Sequence, residues 1–132
     1  MYLFLYVPKN TALRVARLEA EGEATQTWVV WQGDQVVSYS SAAKSDNANK
    51  ITSVYLLPKF QGKGIGTMLL QQALDWLGNE KDVTLGVVPY NQSAIRFYEK
   101  SGFQLREPIQ HDQPTFATGK DMAEVKMVRA KL

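Results

Sequence analysis

Apolar positions along the chain change their period several times, and each change marks an element. Residues 2–7 form an apolar run that predicts a strand, while Leu13, Ala16, Arg17 and Ala20 predict a short helix over 11–21. Two further apolar runs, 27–31 and 35–43, flank Gln32-Gly33-Asp34, where glycine offers positive φ for a tight hairpin turn. A polar loop over 44–49 leads to a strand over 50–57 rich in β-branched and aliphatic residues. Helical spacing then takes over, with Ile65, Met68, Leu69, Ala73, Trp76 and Leu77 on one stripe of a helix over 64–78. A strand over 83–88 stops at Pro89, which cannot donate to a ladder, and a helix over 91–101 follows. Strands over 103–107 and near 122–130 complete the pattern. Strands early and late with a βαβ unit between them predict an α/β chain built on a mixed sheet with helices on its faces.

Composition narrows this picture. A chain of 132 residues that is 45% hydrophobic buries a core of the size of one compact unit, so residues 1–132 are read as a single domain. Fifteen basic and 13 acidic residues leave +2, too little to argue for nucleic acid or an anionic membrane. The absence of cysteine removes disulfides, thiolate metal sites and a cysteine nucleophile, and suits a reducing cytoplasm. The apolar opening lacks a charged leader, is too short to span a bilayer and ends at Pro8-Lys9, so it is not read as a signal peptide.

Candidate chemistry concentrates at Gln61-Gly62-Lys63-Gly64-Ile65-Gly66, where strand gives way to helix. Residues without Cβ let a phosphate approach the backbone, and the unpaired N–H groups of a first helical turn attract it. Lys63 adds charge. No lysine followed by a hydroxyl residue stands behind these glycines, so a P-loop is excluded, and their alternate spacing does not match the dinucleotide fingerprint. The pattern is Gln-x-x-Gly-x-Gly. A glycine-rich strand-to-helix turn without a ligand is the alternative reading of the loop taken alone.

A second segment runs from Asn91 to Phe103 as Asn-x-x-Ala-x-x-Phe-Tyr followed by Gly102-Phe103. Asn91 suits a helix start and Gly102 a helix C-terminus needing positive φ. Those roles do not account for Phe97-Tyr98 at that register, one βαβ unit after the glycine loop. Together the two segments resemble the GNAT acetyltransferase superfamily, from about residue 26 to the C-terminus. That resemblance implies a mixed, mostly antiparallel sheet with a central parallel βαβ unit, helices on both faces and a shortened N-terminal region. Family members place a strand and two helices before the hairpin, and the 25 residues or so available here hold one strand and one helix. The sheet or pocket surface this exposes suits a second subunit, and a homodimer is one expectation.

The resemblance also implies an activity. Acetyl-CoA is the expected cofactor, its pyrophosphate held by N–H groups from Gly62, Lys63, Gly64, Ile65, Gly66 and Thr67, with Gln61 opening the motif. The strand over 50–57 bulges away from its neighbour so that backbone groups near Leu56 and Leu57 pair with the pantetheine arm. Asn91 contacts the pantetheine amides, and Tyr98 donates a proton to the leaving thiolate. No metal is needed. The acceptor is expected to be a primary amine of a small molecule, attacking directly. Many family members carry a glutamate five residues before the tyrosine of a strand-end Tyr-x-x-Pro. Here that tyrosine is Tyr55 and the position is Lys50, whose positive charge repels a protonated amine. Asp46, Glu107, Asp112 or ordered water can replace the base. His111, the only histidine, is read as a solvated loop residue, and Asp121 and Glu124 as strand-exterior charges. Two other readings are an acyl-CoA-binding or regulatory module with degenerate catalysis and a protein or peptide acetyltransferase.

Overall fold

The computed structural model describes residues 2–6, 13–18, 24–106 and 124–132. Within them a single sheet runs in the order β1-β2-β3-β4-β5-β6-β8-β7. Its strands are β1 (Tyr2–Tyr6), β2 (Leu13–Leu18), β3 (Thr25–Gln32), β4 (Gln35–Ala43), β5 (Asn49–Leu56), β6 (Val83–Val87), β7 (Gln104–Leu105) and β8 (Val125–Arg129). Helix α1 (Ile65–Leu77) joins β5 to β6, and α2 (Gln92–Lys100) joins β6 to β7. Only β5 and β6 pair in parallel; every other described pairing is antiparallel.

The expected hairpin forms around Gly33, whose φ of 58° lies in the left-handed region that a two-residue turn requires. The region before it departs from expectation. Residues predicted as a helix over 11–21 contain β2, which pairs with β3 from Leu13 opposite Gln32 to Leu18 opposite Thr27. Leu13 and Ala16 are both buried although strand alternation puts them on opposite faces, and their spacing of three imitates a helical stripe. Without β2 the outer edge of β3 would carry a row of unpaired backbone groups, and satisfying that row outweighs the weak helical preference of the segment.

The core gathers on the face of the sheet that α1 covers. Trp28 and Val30 of β3, Val37 and Ala42 of β4 and Ile51 of β5 meet Leu69, Leu70, Ala73 and Leu74 of α1. Trp28 stands edge-on to Trp76 with ring centroids 5.9 Å apart, a favourable aromatic geometry. Leu85 and Val87 of β6, Met127 of β8, Ile95 of α2 and Phe103 continue the same cluster. At the far end of α1, the buried Asn49 side chain donates to the Leu77 carbonyl at 3.3 Å and accepts from the Ser45 N–H at 3.3 Å. This ties the start of β5 to the end of the helix that follows it.

Candidate active site

Strand β5 leaves β6 soon after it begins. The parallel ladder has only two pairs, Asn49 with Val83 and Lys50 with Thr84, although both strands continue beyond them. The cause lies on the other side of β5. Ser41 pairs with Ser53 but Ala42 pairs with Ile51, so Thr52 is an extra residue and bulges the strand. A bulge bends its strand, and here the bend coincides with the separation from β6. Past that point Leu57 donates its N–H to the Val37 carbonyl at 2.9 Å, toward β4. Backbone alternation therefore turns Leu56 toward the opening. The N–H of Leu57 thus faces β4.

The chain then turns through a 3-10 segment, Pro58–Phe60, anchored by the buried Phe60 ring. Lys59 and Lys63 place their ammonium groups 5.3 and 5.5 Å from that ring's centroid. Gln61 closes the segment by donating its N–H to the Pro58 carbonyl at 3.1 Å. Gly62 and Gly64 adopt φ of 79° and 82°, a conformation costly for any residue with a Cβ. The first helical hydrogen bond runs from the Met68 N–H to the Gly64 carbonyl at 3.0 Å. Ile65, Gly66 and Thr67 thus have no acceptor inside α1, and among the described residues no N–H from Gly62 to Thr67 has a protein acceptor. No carboxylate stands in the first turn to fill the place.

Helix α2 reaches the same end of the split. A Cβ on Gly66 would stand 3.4 Å from Phe97 Cζ and 3.8 Å from Leu56 Cδ2, so loop, strand end and helix converge there. Asn91 caps α2 through Oδ1, which accepts from the Ala94 N–H at 3.1 Å; its amide hydrogens are left for another partner. Tyr98 is half-buried between Phe97 and Phe103, with ring centroids 5.2 and 5.9 Å away. Burial raises the phenol pKa above its usual value of 10.0, so the group stays protonated throughout the neutral range. The Phe103 N–H returns to the Tyr98 carbonyl at 3.1 Å, and Gly102 makes this turn at φ 94°.

On the other face of the sheet, a cavity of about 410 Å³ opens where β5 and β6 part. Lys50 and Thr52 line it from β5, Thr84 and Gly86 from β6, Lys126 from β8, and Glu124 from the residue just before β8. Nearby on β4 and β5, Tyr39 and Tyr55 stack with centroids 5.3 Å apart and remain exposed. Glu124 is exposed, as a strand-exterior charge should be, yet it lies in this cavity. Sequence reasoning gave it no function; the paired signal was a glycine inside a strand, Gly86, which marks a close approach by another group. Asp46 is exposed in the loop before β5 and does not line the cavity. Glu107, His111, Asp112 and Asp121 lie outside the described residues. No group of three or more metal-ligating side chains occurs among the described residues.

Comparison with known proteins gives this geometry a family. The model of the Acetyltransferase (GNAT) family matches residues 3–103. A mycothiol acetyltransferase from Corynebacterium efficiens is 35% identical over 86 residues, which are 63% of this chain and 29% of that protein. An uncharacterized N-acetyltransferase from Mycobacterium tuberculosis is 34% identical over 76 residues, covering 54% of this chain and 47% of its own length. The chain thus spans less than half the length of these two relatives. Among solved structures, PH1933 from Pyrococcus horikoshii superposes with a TM-score of 0.64 at 27% identity, over 80% of this chain and 65% of that one. Arabidopsis thaliana Naa50, in complex with the bisubstrate analogue CoA-Ac-MVNAL, gives 0.61 at 25% identity over 79% and 72%. With the family model covering most of the chain and the same fold recovered in these structures, the protein belongs to the GNAT acetyltransferase family.

Proposed function

We propose that this domain is an N-acetyltransferase that moves an acetyl group from acetyl-CoA to a primary amine of a small molecule by direct attack. The observation that carries the proposal is the run of N–H groups from Gly62 to Thr67, without acceptors among the described residues, beside the opening between β5 and β6. Such a run fits a pyrophosphate: the glycines at positive φ turn backbone rather than side chains outward, and a Cβ built on Gly62 or Gly64 meets nothing within 4 Å. Acetyl-CoA supplies the acetyl group as a thioester.

The chain's own residues then divide the work. Gly62 to Thr67 hold the diphosphate, with Lys63 adding charge and Gln61 fixing the loop's entry. Leu56 offers backbone groups to an extended arm. The free amide hydrogens of Asn91 donate to carbonyls of that arm, since its Oδ1 is engaged in the helix cap. Tyr98, kept protonated by burial, gives a proton to the departing sulfur. The cavity on the far face of the sheet admits the amine.

Lys50, where many relatives carry an acid, favours a second reading in which the domain binds acyl-CoA without turnover. Calorimetric titration with acetyl-CoA, followed by thiol release with a panel of small amines and short peptides, separates the readings. Binding with release to small amines is expected. Binding without release for every acceptor supports the module, release only to peptides supports a peptide acetyltransferase, and no binding contradicts all three.

A further inference from the structure

We propose that Glu124 receives the acceptor amine and takes its proton, standing in for the acid that Lys50 displaces from β5. The inference rests on the acetyltransferase reading above and adds a residue to it. Three observations place Glu124 at this task. Gly86 pairs with Lys126 on the face opposite the buried Leu85 and Met127, and Glu124, the residue just before β8, lies over Gly86 two residues before Lys126. A Cβ built on Gly86 would overlap Glu124 Oε2 and stand 3.1 Å from Cδ, so the carboxylate occupies the space that a side chain at residue 86 would fill. Finally, no hydrogen bond or ion pair engages that carboxylate among the described residues.

Position supports the role. Gly86 is two residues beyond the last parallel pair on β6, and Thr52, the bulged residue, is two beyond it on β5. The carboxylate therefore overlooks the point where the strands part, from the face opposite α1. An acceptor entering this cavity meets an arm lying in the split from across a single layer of sheet. The other charged groups lining the cavity are Lys50 on β5 and Lys126 on β8, with none on β6. Glu124 is thus its one anion among the described residues, and an ammonium group is drawn to it rather than to its neighbours.

Protons balance as follows. An ammonium acceptor loses two protons as the N–C bond forms and the C–S bond breaks. Glu124 takes them in turn, directly or through water, and releases them to solvent in the open cavity. Tyr98 gives one proton to the sulfur and regains one from solvent. The net change is one proton released per acetyl group transferred.

The test compares Glu124→Gln, Glu124→Asp and Gly86→Ala with the unaltered chain, using spermidine, phenethylamine and the peptide Ala-Ala-Ala as acceptors. Glu124→Gln is expected to lower kcat/KM at least tenfold at pH 7, with acetyl-CoA affinity by calorimetry within twofold. The deficit should shrink as pH approaches the acceptor's own pKa, because a neutral amine needs no proton removed before it attacks; a merely structural role would leave it constant. Glu124→Asp should retain part of the rate. Gly86→Ala should displace the carboxylate and lower the rate similarly, with no further loss on combination with Glu124→Gln. Unchanged kcat/KM in Glu124→Gln, with normal turnover by the unaltered chain, overturns this inference alone. Equal loss of acetyl-CoA binding also overturns it. No turnover of any of the three amines by the unaltered chain counts against both this inference and the catalytic reading.

Discussion

At the level of single residues, Tyr98 and the loop glycines make the sharpest statements. Removing the phenol in Tyr98→Phe leaves the ring packed against Phe97 and Phe103 but takes away the proton donor. Turnover should fall by about a hundredfold while acetyl-CoA affinity stays within about twofold; steady-state kinetics and calorimetry read the two separately. Because burial raises the phenol pKa above 10.0, the protonated form persists as pH rises past the point where a free tyrosine ionises. Any alkaline loss of kcat caused by Tyr98 should therefore be centred above pH 10, and one centred below it would assign the loss to another group. Gly64→Ala puts a Cβ at φ 82° and should destabilise the fold by about 1–2 kcal/mol by the left-handed penalty, read as a lowered urea midpoint. It should also weaken acetyl-CoA binding. The glycine motif and Phe97-Tyr98 were legible in the sequence because their chemistry is local. Glu124 was not, because its meaning depends on Gly86 across a strand pair, and neither residue is unusual alone.

Among the elements, α2 is a short amphipathic helix held at its start by one side chain. Asn91→Ala removes the acceptor for the Ala94 N–H and should lower stability by about 1 kcal/mol, whereas Asn91→Asp keeps the acceptor and most of the stability. If Asn91 also donates amide hydrogens to a ligand, Asn91→Asp should bind acetyl-CoA more weakly despite its intact cap, a difference that thermal melts and titration resolve. Helix α1 is tied at its other end by Asn49, whose buried amide bonds the Leu77 carbonyl. Asn49→Ala strands that buried carbonyl and should cost about 1–3 kcal/mol, read by chemical denaturation. Both helices, the hairpin and the βαβ unit followed from periodicity and turn residues. Strand β2 did not, since a segment apolar on both faces mimics helical spacing until its partner strand is known. The bulge in β5 followed from the family resemblance and not from the composition of the strand, because a bulge is a relation between two strands; its place at Thr52 came from the pairing with β4.

Across the molecule, one asymmetry organises the site. β5 is bound along its length to β4 but to β6 by only two pairs, so a sheet otherwise joined strand to strand opens at a single place. The loop N–H groups that have no acceptor among the described residues, the start of α1 and Phe97 of α2 stand around that opening on one side, and the Glu124 cavity on the other. β8, beyond the residues matched by the family model, completes this arrangement by pairing with β6, and Glu124, the residue just before it, stands at the cavity rim. The described part of the N-terminal region is two strands, β1 and β2, at the edge of the sheet beyond β3. No described helix is long and apolar enough to cross a membrane. If the backbone between Gly62 and Thr67 grips the diphosphate of acetyl-CoA, amide-resolved NMR titration reads that grip directly. Addition of acetyl-CoA should move the N–H resonances of Gly62 to Thr67 and of Leu56 most, saturating together with the calorimetric binding curve. Binding that leaves those amides unmoved, or no binding at all, would contradict the account.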